Sequence, residues 1–200
     1  MIIRKLTEYE RNVVKDFYVA LSAEDRRKRF CSTLSDEALS RYVGGLDFAQ
    51  HAILGAFDEQ AQLIGLAELA PGTEQSELAF SVRPDLRCRG IGTKLMERLL
   101  LYARMCGIGQ VFVMFLSDNV PMRRMAQSAG MLVKTEGSES YASRELPAPS
   151  AEALSRWFMQ EAVAHTEFFG ILGIQGWRSL VTQSRLSAPE GSKPLDALAA

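Results

Sequence analysis

Cysteine is scarce in this chain of 200 residues, and Cys31, Cys88 and Cys106 stand far apart with no C-x-x-C pair among them. Three scattered thiols argue against a disulfide framework and against a thiolate zinc cluster, and they suit a reducing compartment. Charge of one sign is not in excess either, because 23 Lys+Arg face 24 Asp+Glu for a formal net charge of −1. Without a global basic field, nucleic acid is not an expected partner, and a polyanionic ligand needs a local site. Long hydrophobic runs are missing: no stretch reaches the about 18 apolar residues of a membrane span. The opening MIIRKLTEYERNVV carries charges where a secretory signal needs an unbroken apolar core. A cytoplasmic protein with no membrane partner is the expectation. The two histidines, His51 and His165, are too far apart in sequence to suggest a metal site, and core or surface roles are expected for both.

Apolar material is ample, at 47% hydrophobic and 24% charged, which is enough for one globular domain or one plus an extension. The first 45 residues read as helices, with capping-box spacing at Thr7–Glu10 and Ser22–Asp25, and a third short helix from Ser35 to Gly44 and Gly45. HAILGAFD, AQLIGLAELA and SELAFSV are short apolar or alternating runs separated by DEQ and PGTEQ, the pattern of an antiparallel meander. Helical period returns over residues 90 to 106, where Ile91, Leu95, Leu99, Tyr102 and Cys106 share a stripe and Gly107 is the stop. QVFVMFL, residues 110 to 116, is a buried strand by composition. SDNVPMRRMAQSAG follows as a short helix capped near Asp118 or Asn119, with Pro121 in its first turn and Gly130 past its end. MLVKTE and SYASREL fit two more strands.

After a linker, PAPS at residues 147 to 150, residues 151 to 186 read as a helical extension interrupted near Gly170, Gly173 and Gly176, and residues 187 to 200 as a disordered tail. The extension's aromatic stripe, Trp157, Phe158, Phe168, Phe169 and Trp177, packs on the same domain or across a homodimer.

The densest chemical signal is VRPDLRCRGIG, residues 82 to 92. Glycine is a poor way to begin a helix, so Gly90 and Gly92 need a backbone-level reason. Glycines at a helix mouth bare successive N–H groups, and a helix N-terminus can hold a pyrophosphate. Arg87 and Arg89 can add charge-assisted bonds. The bland alternative is a tight strand-to-helix turn with no ligand.

Arg87-Cys88-Arg89-Gly90-Ile91-Gly92, with a strand before it and an amphipathic helix after it, resembles the R/Q-x-x-G-x-G/A motif of the GCN5-related N-acetyltransferase superfamily. SDNVPMRRMAQSAGM resembles that family's N-x-x-A-x-x-L-Y-x-x-x-G-F element, with Asn119 and Gly130 aligned without gaps. The resemblance covers residues 1 to 146, and LTEYE, LSAEDRRKRF and ELAFSV look closest to bacterial members related to protein lysine acetyltransferases. It implies an α+β fold: a mixed, mainly antiparallel sheet flanked by helices and splayed where the cofactor enters, here followed by a C-terminal helical extension. It also implies acetyl-CoA or another acyl-CoA as co-substrate, an amine acceptor that is a small molecule or a protein lysine, and no metal. By the same resemblance, Arg87, Cys88, Arg89, Gly90, Ile91 and Gly92 hold the pyrophosphate, with Thr93 and Asn119 in the same site. The pantetheine arm then pairs like an extra strand with the backbone of Phe80, Ser81 and Val82.

Direct transfer requires a free amine, whereas a lysine ammonium has a pKa of about 10.4 and must lose its proton to a base. A glutamate in the strand equivalent to ELAFSV is the base in several branches of the family, which makes Glu77 the candidate and Glu68 the second choice. Alternation puts Glu77, Ala79 and Ser81 on one sheet face and Leu78, Phe80 and Val82 on the other. An ordinary solvent-facing carboxylate is the alternative reading of Glu77. Where the family often has a tyrosine that protonates the leaving thiolate, this chain has Ala126, leaving Ser117, Ser128, Tyr141 or water as candidate donors. Asn119 also suits a plain helix cap, and RRKR at residues 26 to 29 suits a solvated helix face or a contact to acidic substrate or CoA phosphates. The rival function is a non-catalytic acyl-CoA-binding module whose C-terminal helices recruit a partner.

Overall fold

The apolar runs of the meander assemble into a sheet in a computed structural model that describes the backbone of residues 1 to 186 and the side chains of residues 1 to 176. The Trp177 side chain and the tail beyond residue 186, for which disorder was the expectation, therefore lie outside what is described. Seven strands run in the order β1-β2-β3-β4-β5-β7-β6. They are β1 (Ile2–Lys5), β2 (Ala52–Phe57), β3 (Leu63–Ala70), β4 (Ser76–Val82), β5 (Gln110–Leu116), β6 (Leu132–Glu136) and β7 (Glu139–Glu145). Every pairing is antiparallel except β4 with β5. That parallel pair holds register only at Ser76↔Val111 and Glu77↔Phe112, and from Leu78 to Val82 the β5-facing side of β4 has no strand partner. The sheet is splayed there, as expected.

The first 45 residues are not all helical, because β1 pairs with β2 from Ile2↔Phe57 to Lys5↔Leu54. Four residues of alternating burial are too few to reveal a period of two beside the helical signals that follow. Helices α1 (Arg11–Val19), α2 (Ala23–Phe30) and α3 (Asp36–Gly44) then cross one sheet face. The Ser22 hydroxyl accepts from the Asp25 N–H at 3.1 Å to start α2, and Ser35 does the same for Ala38 at 3.2 Å to start α3. Helix α4 (Ile91–Met105) covers the opposite face, and α5 (Val120–Ser128) follows β5. Both end with a left-handed glycine just past the C-cap. Gly107 (φ +77°) and Gly130 (φ +71°) allow Ile108 to bond back to Ala103 and Met131 to Ala126, each at 3.0 Å.

Side-chain alternation divides the core in two. Leu78, Leu95, Leu99, Val111, Val113 and Phe115 pack between the sheet and α4. Leu6, Val14, Tyr18, Leu39, Ile53 and Leu66 pack beneath α1, α2 and α3.

The extension is a single helix, α6 (Ala151–Leu186), so the expected interruption at the glycines does not occur. Each internal glycine costs about 1 kcal/mol relative to alanine, a penalty that tertiary anchoring offsets. Buried Trp157 meets Tyr102 edge-on at 4.9 Å, and buried Phe168 meets Phe57 at 4.6 Å with the Arg4 guanidinium 3.9 Å from its ring centroid. Glu161 accepts from the Lys5 N–H at 2.7 Å and from Arg98 at 3.0 Å. The aromatic stripe is therefore two faces: Trp157 is 4% exposed and its neighbour Phe158 is 62% exposed, since adjacent helical residues point about 100° apart. Among the described residues, no helix is long and apolar enough to cross a membrane.

Candidate functional site

The unpaired side of β4 opens into a cleft of about 300 Å³ bounded by the loop to α4, the start of α5 and helix α2. The cleft gathers Phe80, Ser81 and Val82 from β4, Arg87, Cys88, Gly90, Ile91, Gly92 and Thr93 from the loop and helix start, and Asn119 from the β5–α5 junction. These are ten of the eleven cofactor-binding candidates. Arg89 is exposed and does not line it.

The two loop glycines have different reasons. Gly90 is the N-cap of α4 and lies at φ +77°, a left-handed conformation that suits glycine. At Gly92 the reason is space, because a Cβ there would meet the Met125 sulfur at 3.0 Å. No side chain caps α4, so the N–H groups of its first turn keep the anion-binding capacity of a helix N-terminus. Cys88 also lies left-handed, at φ +59°, where a side chain costs about 1–2 kcal/mol.

Helix α2 lines the same cleft with Asp25, a site residue that sequence reasoning missed, and with Lys28 and Arg29 of RRKR, for which a contact to CoA phosphates was one of the two expectations. Buried Asp25 accepts from the Arg87 guanidinium at 2.6 Å, while Arg87 Nε donates to the Val82 carbonyl at 3.2 Å, so the expected phosphate ligand is tied down on two sides. The sequence marks Asp25 only as the end of a capping box. The expected solvated face of RRKR is also divided. Arg26 donates to the Leu21, Leu34 and Val19 carbonyls at 3.0, 3.0 and 2.6 Å, Arg27 reaches Asp118 at 2.7 Å, and Arg29 turns inward to Glu68 at 2.7 Å. Each follows from α2 lying across the sheet between α1 and the cleft, which no helical period announces.

Glu77 is exposed and stands at the last register position before β4 and β5 part, three residues before Phe80, the first β4 residue of the cleft lining. Burial first, then the Glu139 and Glu77 carboxylates, push the Cys31 thiol up, so the end of α2, the start of β7 and Glu77 lie near one another. Glu68 has a different environment. It is 2% exposed and accepts from the Tyr18 hydroxyl, from the Tyr42 hydroxyl at 2.5 Å and from Arg29 at 2.7 Å. Burial, with Glu68 alongside, pushes both tyrosine hydroxyls above their usual range. The second choice for the base is thus a buried anchor for Arg29 with its oxygens already engaged.

Ala126 is fully buried, and none of the candidate acids lines the cleft. Ser128 lines a separate groove between α4 and α6. The Tyr141 hydroxyl donates to Gln75 and its ring stacks on Phe112 at 5.2 Å, and the Ser117 carbonyl accepts from Arg123 at 3.1 Å. Asn119 caps α5 by accepting from the Met122 N–H at 3.2 Å while also facing the cleft, so the cap and the site coincide. His165 pairs with Glu161 at 3.2 Å. Among the described residues, no group of three or more His, Cys, Asp or Glu is placed to hold a metal ion.

Comparison with known proteins agrees with this fold. The chain is 30% identical over 120 residues to Acetyltransferase Pat of Mycolicibacterium smegmatis, a match covering 56% of this chain and 35% of that protein. The match thus spans about a third of that relative's length. The GNAT domain of S. lividans PAT superposes with a TM-score of 0.61 at 24% identity, over 72% of this chain and 89% of that one. The fold of yncA from Salmonella typhimurium, solved with its cofactor acetyl-CoA, matches with a TM-score of 0.56 at 20% identity over 76% of this chain and 98% of that one. The model of the acetyltransferase (GNAT) family matches residues 9–131, more than half of the sequence and the stretch that contains β2 to β5 and the whole cleft lining, and the chain belongs to that family.

Proposed function

We propose that this protein transfers the acetyl group of acetyl-CoA, or a related acyl group, directly onto an amine, and that the acceptor is a lysine side chain of a protein. The observation that carries the reading is the meeting, in one cleft, of the unpaired side of β4 and the uncapped start of α4. An acyl-CoA fits that shape: its amide-bearing arm matches an open strand side, and its pyrophosphate matches a helix N-terminus behind a left-handed glycine. When bound, the acyl-CoA supplies an activated thioester carbonyl.

The chain's own residues supply position and a proton acceptor. Glu77, where the strands part, takes the proton of the acceptor ammonium and leaves the nitrogen lone pair free to attack. A nitrogen–carbon bond forms as the carbon–sulfur bond breaks, the sulfur leaves with the electron pair, and the second proton that the nitrogen loses goes to the departing thiolate through water. A thiol of pKa about 8.5 can leave as thiolate for about 2 kcal/mol at pH 7, so Ala126 in place of a tyrosine does not prevent turnover. The lysine acceptor rests on the likeness of the amino-terminal segments and ELAFSV to protein lysine acetyltransferases.

Ala126 favours the second reading, a module that binds acyl-CoA without turning it over. Chromatographic conversion of acetyl-CoA to CoA, with and without a panel of amines and lysine peptides, separates the two. Amine-dependent conversion that collapses in Glu77→Gln supports the enzyme. Thermal stabilisation by acetyl-CoA without conversion supports the module, and the absence of stabilisation refutes both.

A further inference from the structure

Buried polar groups are almost always hydrogen-bonded, so orphans that share one cavity point to a missing partner. Ser81 is 9% exposed and its hydroxyl has no partner. The Arg29 side chain is 8% exposed and its Nε–H also has none. Both residues line the cleft beside β4. The other buried, unpartnered atoms among the described residues, on Arg4, His51, Arg98 and Arg123, belong to residues outside its lining.

Register brings the pair together. Ser81 lies opposite Leu66 and Ala79 lies opposite Glu68, so Ser81 and the Glu68–Arg29 pair occupy one sheet face at diagonal positions. Arg29 is held in place. One terminal nitrogen is 2.7 Å from Glu68, and the guanidinium lies 4.5 Å from the Phe30 ring centroid and 5.6 Å from that of Tyr18. What it leaves for the cleft is a fixed donor, and Ser81 adds a hydroxyl that can donate beside it.

We propose that Ser81 and Arg29 together bind a carbonyl oxygen of the acyl-pantetheine arm, so that side chains of α2 and β4, and not only the open backbone of β4, position the cofactor. This rests on the acyl-CoA reading above. The oxygen belongs either to an amide of the arm or to the acyl group, and both present the same acceptor chemistry. Ser81 and Arg29 are positioning residues for transfer.

The test is calorimetric titration of the full chain and of Ser81→Ala and Arg29→Lys with acetyl-CoA, CoA and 3′-phospho-ADP, which lacks the arm, beside melting curves without ligand. Arg29→Lys keeps a cation for Glu68 and deletes the Nε–H. Ser81→Ala is expected to melt no lower than the parent, because the hydroxyl it loses was unpaired, and to bind acetyl-CoA about three- to tenfold more weakly. Affinity for 3′-phospho-ADP should not change. An equal loss for CoA assigns the oxygen to the arm, and a loss confined to acetyl-CoA assigns it to the acyl carbonyl. Unchanged acetyl-CoA affinity in Ser81→Ala, or an equal loss for 3′-phospho-ADP, overturns the proposal, whatever Arg29→Lys does to folding. A parent protein that binds no acetyl-CoA instead overturns the functional reading itself.

Discussion

Replacing Glu68 with glutamine should lower stability and leave the proton-accepting step intact, while the same change at Glu77 should do the opposite. Glu68 is 2% exposed and is the partner of an Arg29 side chain that is 8% exposed. Removing one charge from a buried pair strands the other, at a cost of about 3–5 kcal/mol. The glutamine oxygen can still accept from a tyrosine hydroxyl, which places the effect toward the lower end. That is a large share of a total stability of about 5–15 kcal/mol. At about 2–4 °C per kcal/mol for a chain of this size, the melting midpoint should fall by about 6–20 °C. Glu77 is exposed, so Glu77→Gln should stay within about 0.5 kcal/mol of the parent, yet lose amine-dependent turnover by about 10²–10⁴-fold. Urea melts read the first quantity, and conversion of acetyl-CoA well below both midpoints reads the second. A Glu68→Gln protein with an unchanged midpoint and lost turnover would return the base to Glu68 and refute the division of roles.

Trp157→Ala should cost about 3–5 kcal/mol, because it empties a buried contact against Tyr102, whereas Phe158→Ala on the exposed face should change stability by less than about 0.5 kcal/mol; equal effects in urea melts would contradict the way α6 is seated. Cys88→Gly should raise the midpoint slightly, since relief of about 1–2 kcal/mol of left-handed strain exceeds the entropy cost of about 0.5–1 kcal/mol for the new glycine, and a lowered midpoint would show that Cys88 is not strained. Glu10 is partly desolvated, which raises its pKa, but bonds from Arg4 and Thr7 outweigh that and hold it below the usual glutamate range. Its folded pKa is depressed, so its contribution to stability is present above the unfolded value of about 4.3 and is lost as pH falls through the folded value. Glu10→Gln should therefore be less stable than the parent at pH 7, with a gap that closes in acid. A gap that is constant with pH would remove the linkage.

Local signals were legible because they act over short distances. Ser22, Ser35, Asn119, Gly107 and Gly130 mark helix ends through hydrogen bonds to residues a few positions away, and all five do so in the structure. The strands SELAFSV and QVFVMFL were legible because their composition and length leave no helical alternative. Short β1 was hidden by its length, and the continuity of α6 was hidden because its supports, on Phe57, Tyr102 and Lys5, are remote in sequence.

The sequence by itself determined the order of elements from α1 to β7, the glycine loop before α4 and the family that the loop and Asn119 resemble, because those features are written in spacing and backbone conformation. Only the tertiary structure decided between the two glutamates. Glu77 and Glu68 lie on one face of neighbouring strands and differ in no local pattern, but α1, α2 and α3 bury one beneath Tyr18, Arg29 and Tyr42 and leave the other exposed where β4 and β5 part. The same packing placed Asp25 against Arg87 and left Ser81 and Arg29 with unpaired donors in the cleft. Burial and partner choice depend on which distant helix lands on a face, and a linear pattern carries no term for that.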